Sequence, residues 1–272
     1  MLVGLYLRNM GPQSSRETVL ACARAAEDAG VDDLWVADHV AIPPDDAEGS
    51  GGRYLDPLAT LAFLAGATAR IGLGTGVLVV PYRPPLPTAK WVATIQELSA
   101  GRLRLGVGTG WMAAEFRALG VDRRRRGALL DETVAFLGRC FAQDEVEANG
   151  QRFLFKPRPA RPPIFVGGAP PHALRRAVRH GDGWMPMGLD ASALAPAVDQ
   201  LHVLARDAGR PQPEVVVLTR LPLDDPDRAL DEARAFAAAG ATRLVHAWRY
   251  DDVAAFARAA ETLAGVVRRG LG

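Results

Sequence analysis

The chain has 272 residues, of which 49% are hydrophobic, and its formal net charge at pH 7 is +1. This length suits one large α/β barrel or two small domains, and it is sufficient to bury a sizeable core. The balanced charge argues against a nucleic-acid binder, which needs a concentrated basic surface, so we expect small-molecule partners. Because no apolar stretch approaches a membrane span and no cleavable leader is visible, we expect a cytoplasmic protein without membrane partners. A homodimer is left open.

Several common catalytic motifs are missing from the sequence. No GxxxxGK[ST], HExxH or GxSxG run occurs, and no GxGxxG follows the first predicted strand, which argues against a doubly wound dinucleotide-binding sheet. The two cysteines, Cys22 and Cys140, lie in helical patterns and lack metal-ligand spacing. We therefore expect buried free thiols and no metal site.

Apolar strands and helices alternate along the whole chain. The predicted units are strand 2–7 with a helix between Ser15 and Gly30, strand 33–37 with helix 56–69, strand 71–82 with helix 87–101, strand 102–110, strand 163–168 with helix 171–180, strand 183–187 with helix 191–208, strand 215–219 with helix 227–239, and strand 243–247 with helix 253–267. Between the fourth and fifth strands the pattern predicts helices at 113–119 and 129–141 and a β-hairpin at 146–155. Eight such units predict an α/β fold, a (β/α)8 TIM barrel in a single domain over 1–272, with an insertion at about 111–160.

Two successive strands, within the stretch from Ile71 to Trp111, end in Gly-x-Gly-Thr-Gly runs. Glycine, which has no side chain, thus occupies the carboxyl end of each strand, where a bulky neighbour is expected. This favours a glycine surface against which a ligand lies. The alternative is that these glycines only make turns and allow close packing. The sequence by itself leaves both interpretations open.

Five segments in a fixed order carry a resemblance to a known family. They are LWVADH at 34–39, RIGLGTGVLVVPYRPP at 70–85, LSAGRLRLGVGTGWMAAEFRALG at 98–120, PPIFVGG at 162–168 and ALRRAVRHGDGWMP at 173–186. In these segments the chain resembles the bacterial-luciferase-like superfamily, and within it the deazaflavin-dependent oxidoreductases that use coenzyme F420. The resemblance implies a cofactor whose tricyclic ring lies across the barrel mouth and whose phosphate-bearing tail lies outside. It does not identify the substrate.

The resemblance also assigns site residues. It implies that His39, at the end of an apolar strand, lies near the reactive ring carbon, although His39 could instead cap the following loop. Gly167 and Gly168 precede a helix and should offer free N–H groups to a phosphate, with Arg175 and Arg176 either adding charge or facing solvent. The predicted cofactor contacts are Asp38, His39, Gly76, Val77, Gly108, Gly110, Gly167, Gly168 and Arg175. A non-prolyl cis peptide bond is implied at Gly76–Val77.

Two positions depart from the sugar-phosphate dehydrogenases of the family. Those enzymes carry a Glu directly after the second glycine run, where this chain has Trp111, and a Trp shortly after the Asp-His pair, where it has Pro43. We therefore expect Trp111 to stack against an apolar or planar substrate. Glu115 is the nearest remaining carboxylate, either a substrate contact or a helix-surface residue.

Together these features predict an oxidoreductase that moves a hydride between coenzyme F420 and a small organic substrate, with His39 positioning or protonating the reacting group. The alternatives are an FMN-dependent monooxygenase that uses O2 and a non-catalytic flavin-binding protein. We expect coenzyme F420 to bind more tightly than FMN, because cationic side chains beyond the ring can bind its lactyl-oligoglutamate tail. The run Arg123–Arg126 is one source of such charge, although its pattern favours a solvated helix start.

Overall fold

The computed structural model describes residues 1–268 and residue 270. Ten strands are present in this part of the chain: β1 (Leu2–Tyr6), β2 (Asp33–Val36), β3 (Gly72–Val79), β4 (Leu103–Gly108), β5 (Glu145–Ala148), β6 (Gln151–Leu154), β7 (Ile164–Gly167), β8 (Gly183–Met185), β9 (Glu214–Thr219) and β10 (Arg243–His246). Eight of them form a closed parallel barrel in the order β1, β2, β3, β4, β7, β8, β9 and β10, with β10 pairing back to β1. The predicted TIM barrel is confirmed.

Helices surround the barrel and follow its strands. They are α1 (Arg16–Ala29), α2 (Pro57–Ala67), α3 (Pro85–Leu98), α4 (Ala113–Ala118), α5 (Arg126–Ala142), α6 (His172–His180), α7 (Ala191–Asp207), α8 (Pro226–Ala238) and α9 (Val253–Thr262). Their ends follow local chemistry: the Ser15 side chain accepts from the Thr18 amide at the start of α1, and Gly30 ends that helix at φ 80°. No helix among the described residues is long and apolar enough to span a bilayer.

The insertion lies between the fourth and fifth barrel strands, as the sequence predicts. It contains α4, α5 and an antiparallel hairpin of β5 and β6 that turns at Asn149 and Gly150. The helix predicted from 129 begins earlier, because a 3-10 turn at Arg123–Arg125 leads directly into α5. The Asp122 carboxylate accepts from the Arg124 amide and so caps this turn.

The barrel interior is filled by large side chains. Trp35, Phe165, Met185, Val216 and Val245 form one buried cluster inside it. Glycine makes room for them: a Cβ on Gly74 would lie 2.4 Å from the Trp35 ring. Some strand glycines therefore serve close packing rather than a ligand, which is the alternative that the sequence left open.

The N-terminal ends of the strands carry a group of charged side chains, of which Arg243 and Asp33 are buried. Arg243 pairs with Asp33 and lies 3.5 Å from Glu214 (Nη2 to Oε2), while Arg104 Nε lies 3.8 Å from Asp33 Oδ1. Burial lowers the pKa of Arg243 to about 10. Elsewhere in the core, Cys22 and Cys140 are buried free thiols, as predicted, and burial raises the pKa of each to about 11.

Candidate active site

A cavity of about 350 Å³ opens at the carboxyl ends of the barrel strands. Its lining contains most of the residues that the sequence predicts for the site. The lining residues are Tyr6, Ala37, Asp38, His39, Gly76, Val77, Val79, Gly108, Thr109, Gly110, Trp111, Gly167, Gly168 and Met187. The volume falls within the range of about 300–1,000 Å³ that is typical of small-molecule sites.

Val77 of β3 lines the cavity and packs against two glycines of neighbouring strands. The Gly76–Val77 peptide bond is cis, at the position where a cis bond was expected. A Cβ on Gly108 would lie 2.5 Å from Val77 Cγ2, and one on Gly167 would lie 2.8 Å from Val77 Cγ1. The glycines at these two strand ends therefore make room for Val77, and the same absence of side chains leaves the cavity walls flat.

His39 is held by a carboxylate that the cavity does not reach. Its Nδ1 lies 2.9 Å from Glu115 Oε2, so Nε2 is the ring nitrogen left for a ligand. The Tyr82 hydroxyl donates to the same oxygen over 2.9 Å. The other oxygen, Oε1, accepts from the amides of Val40 and Ala41. Four groups thus converge on one carboxylate.

Glu115 is completely buried. Burial by itself would raise the pKa of this carboxyl, but the amides of Ala41 and Val40, the Tyr82 hydroxyl and His39 outweigh burial and lower it. Both expectations for Glu115 need correction, because it lies neither on the helix surface nor in the cavity. The short helix α4 turns Glu115 and Phe116 inward together.

Two aromatic rings flank His39. The Tyr54 ring centroid lies 4.9 Å away, and the Trp111 ring meets His39 edge-on at 6.0 Å. Trp111 is 64% exposed at the rim of the cavity, so a face of its indole is free to contact a ligand. Its stacking against a substrate stays a prediction.

Asp38 lies in the cavity wall, but its carboxylate bonds to protein groups. Arg83 donates to both oxygens over 2.6 and 2.8 Å, and the Val79 amide donates over 2.8 Å. Arg83 also bonds Asp56, the N-cap residue of α2. Asp38 therefore fixes the ends of β2 and β3 relative to each other, and its predicted contact with a cofactor stays a prediction.

The turn after β7 differs in part from the expected phosphate cradle. The Gly168 amide is not free, because it donates to the Met185 carbonyl over 3.3 Å. The Gly168 carbonyl accepts from Trp184 Nε1 over 2.8 Å. No side chain caps α6, so the start of this helix keeps its positive dipole end at the mouth.

The two predicted arginines of α6 lie away from the cavity. Arg175 is exposed and is not among the lining residues. Arg176 Nε donates to Asp131 Oδ1 over 2.8 Å and so joins α6 to α5. We correct the expectation that Arg176 serves a phosphate, because its charge is paired, and the contact predicted for Arg175 stays untested.

A second histidine at the mouth is closed off from the cavity. His246 ends β10, is 3% exposed, and accepts the Leu221 amide at Nδ1 over 3.0 Å. Burial, with a smaller contribution from Arg220, lowers its pKa to about 4, so the ring is neutral near pH 7. Its ring packs on Trp248 at 4.4 Å.

Sequence reasoning missed several residues that build this site. Tyr6 and Met187 line the cavity, while Tyr54, Tyr82 and Arg83 orient the residues that do. Their positions after strand ends were the available signal, since those ends meet at the mouth. Among the described residues, no cluster of His, Cys, Asp or Glu side chains could hold a metal ion.

The family model described as luciferase-like monooxygenase matches residues 5–270 of the chain. The match covers nearly the whole barrel together with its insertion. The chain therefore belongs to the luciferase-like monooxygenase family.

Two relatives with named activities are similar to this chain over most of its length. The F420-dependent hydroxymycolic acid dehydrogenase of Mycobacterium tuberculosis is 31% identical over 267 residues, covering 91% of this chain and 67% of that protein. The F420-dependent glucose-6-phosphate dehydrogenase of Kineococcus radiotolerans is 31% identical over 234 residues, covering 78% of this chain and 66% of that protein.

Two solved structures, one titled a monooxygenase and the other an F420-dependent dehydrogenase, share the fold. Monooxygenase RslO1 from Streptomyces bottropensis superimposes with a TM-score of 0.84 at 19% identity, covering 100% of both chains. An F420-dependent secondary alcohol dehydrogenase, solved with an F420–acetone adduct, gives a TM-score of 0.81 at 17% identity, covering 98% of both. At these identities the likeness concerns the fold.

Proposed function

We propose that this chain is an oxidoreductase that transfers a hydride between coenzyme F420 and a small organic substrate. The observation that carries the proposal is His39, bonded through Nδ1 to the buried Glu115 and facing the glycine-walled cavity. The family relatives that are named F420-dependent support the choice of cofactor.

The cavity suits a flat tricyclic ring. Gly108, Gly110, Gly167 and Gly168 present no side chains at its walls, and Val77 lines the cavity between Gly108 and Gly167. A side chain at Gly108 or Gly167 would displace Val77 and fill this space. The residues present therefore fit a deazaflavin or flavin ring.

The chemistry divides between the cofactor and the protein. When bound, the deazaflavin supplies the hydride donor or acceptor. Where Nδ1 of His39 donates its hydrogen to the carboxylate of Glu115, the lone pair of the imidazole lies on Nε2. Nε2 takes the proton of a substrate hydroxyl during oxidation, and the protonated ring returns it to a carbonyl during reduction.

The rim around His39 supports a proposal for the substrate class. Trp111 and Tyr54 both lie close to the imidazole and offer aromatic surface beside it. The position after the second glycine run, which holds a Glu in sugar-phosphate dehydrogenases of the family, is Trp111 here. We therefore propose an apolar or planar substrate rather than a sugar phosphate.

Cofactor binding tests the proposal directly. The apoprotein is titrated with coenzyme F420 and with FMN, and fluorescence is followed at two salt concentrations. We expect F420 to bind about tenfold more tightly, equivalent to about 1.4 kcal/mol. Equal or tighter binding of FMN would overturn the proposal and favour the FMN-dependent monooxygenase.

Two further measurements separate the alternatives. Turnover of any candidate substrate distinguishes an enzyme from a flavin-binding protein, and oxygen consumption distinguishes a monooxygenase from a dehydrogenase. The homodimer and the cytoplasmic location stay predictions, which analytical ultracentrifugation and cell fractionation test.

A further inference from the structure

A second and larger cavity, of about 730 Å³, lies outside the barrel mouth beside α4 and the 3-10 turn before α5. We call it the basic cavity. Its lining residues are Ala113, Phe116, Arg117, Val121, Asp122, Arg123, Arg124 and Arg126. Four arginines thus face a single aspartate in a chain whose net charge is only +1.

The positive charge of the basic cavity is only partly neutralised by the protein. Among the described residues, the guanidinium groups of Arg117, Arg123 and Arg124 have no ion-pair or hydrogen-bond partner. The Asp122 carboxylate caps the turn by accepting from the Arg124 amide. By contrast, the neighbouring Arg125 points elsewhere and pairs with Glu132. The cavity therefore attracts anions.

The basic cavity and the active-site cavity are lined by residues that lie close together in the chain. Gly110 and Trp111 line the active-site cavity, while Ala113, a little further along the chain, lines the basic one. Arg126 links the two, because its Nη1 donates to the Gly110 carbonyl over 3.1 Å. We therefore expect the arginines to be within reach of a ligand that extends out of the mouth.

The basic cavity also lies close to the start of α6. Arg176 of α6 bonds Asp131 of α5, and a Cβ on Gly127 would lie 2.6 Å from Arg176 Nη2. Since helices of this fold begin at the carboxyl ends of the strands, α5 and α6 both start at the mouth. The positive end of α6 and the arginines before α5 therefore border the same edge.

We propose that the basic cavity binds the carboxylates of the oligoglutamate tail of coenzyme F420. The proposal rests on the function proposed above. Arginine suits such a tail, because its planar guanidinium can donate two parallel hydrogen bonds to each carboxylate. Phe116 and Val121 offer apolar surface to the methylene groups between them. Arginines on two elements, α4 and the turn, suit a chain of carboxylates better than one compact phosphate.

The test compares ligands with and without the tail. Apoprotein is titrated with coenzyme F420 and with the deazaflavin that keeps the phosphate but lacks the glutamates. In the variant R117Q/R124Q we expect the Kd of F420 to rise about fivefold, since exposed charge pairs contribute little each. The Kd of the tail-less deazaflavin stays unchanged. We expect the fivefold difference in the Kd of F420 between this variant and the wild type to become smaller at high salt.

A charge-matched variant serves as the control. R125Q/R206Q removes the same two positive charges, but Arg125 pairs with Glu132 and Arg206 is an exposed residue in the last turn of α7. We expect this variant to bind both ligands as the wild type does. The test variant leaves Arg126, which bonds Gly110, and Arg123 in place.

The outcomes separate the two proposals. If the wild type prefers F420 over FMN but R117Q/R124Q binds F420 as tightly as R125Q/R206Q does, the tail site is wrong and the proposed function stands. An equal loss for the tailed and tail-less ligands also overturns the tail site. If the wild type prefers FMN, the proposed function itself fails.

Discussion

The two ends of the barrel use buried charge in opposite ways. At the N-terminal end, Arg243 is 4% exposed and is matched by Asp33 and Glu214, while Arg104 adds a further cation. At the mouth, Glu115 is buried as deeply, but its hydrogen bonds converge on a histidine whose second nitrogen is left for a ligand.

This difference teaches how stability and chemistry are divided in the molecule. At the N-terminal end the charged side chains neutralise one another, so nothing is offered to a ligand. At the mouth, Glu115 makes four hydrogen-bonding contacts, and one of these fixes the imidazole ring of His39. In TIM barrels, binding groups are expected at the mouth and stabilising groups at the other end.

The largest effect should come from the N-terminal end. Arg243→Met leaves the buried Asp33 without its closest cation, and we expect the free energy of unfolding to fall by about 4 kcal/mol. Chemical denaturation measures this change. Turnover per folded molecule should equal that of the wild type. A variant that keeps its stability but loses turnover would break the comparison.

His246 shows that a place at the mouth does not by itself make a histidine functional. Its pKa is about 4 in the folded protein and about 6.5 in an unfolded chain. Between these values only the unfolded chain binds the proton, so the free energy of unfolding falls as pH drops from about 6.5 to 4, by about 3 kcal/mol in all. Above pH 6.5 this contribution is complete.

The control for His246 is His246→Asn, which keeps an acceptor for the Leu221 amide but does not titrate. Urea denaturation at pH 7 and pH 4.5 should show a smaller pH-dependent loss in the variant than in the wild type. Identical losses would mean that the buried histidine does not contribute to acid sensitivity.

His39→Ala tests the histidine that lines the active-site cavity. We expect kcat to fall by at least about 100-fold, because the acid–base group is removed, while the affinity for coenzyme F420 changes much less. The assay uses any substrate that the wild type turns over. A histidine that only caps its loop would instead lower the melting temperature and leave the specific activity of the folded fraction intact.

Glu115→Gln should have a smaller effect, about tenfold on kcat, because His39 remains but is held less firmly. If Glu115 acts through His39, the double variant H39A/E115Q is no slower than H39A alone. Tyr82→Phe removes one donor to Glu115 and keeps the carboxylate, so we expect it to be milder still. Additive losses in the double variant would assign Glu115 a separate role.

Local patterns were sufficient to predict the barrel, the insertion and the strand ends that form the mouth. The hairpin turn at Asn149 and Gly150 and the caps at Ser15 and Asp56 depend on neighbouring residues alone, so the sequence shows them directly. The same holds for His39 and Trp111, which follow strand ends.

The partners of Glu115 were beyond such reasoning. Val40 lies 75 residues before Glu115, and their contact depends on how a loop after β2 meets α4. The role of Gly108 and Gly167 was also hidden, because both strands must be placed before Val77 is seen to fill the space between them. For Arg176 the sequence suggested a role that the fold does not support. Its charge could have served a phosphate, but in the folded protein Arg176 is paired with Asp131.

The packing of Val77 between Gly108 and Gly167 ties together three positions on three neighbouring strands. A change at one of them alters the room available at the other two, so evolutionary substitutions at the three should be correlated rather than independent. A larger residue at either glycine position should be accompanied by a smaller one at 77. For anyone redesigning this enzyme, the three codons are best varied as one unit.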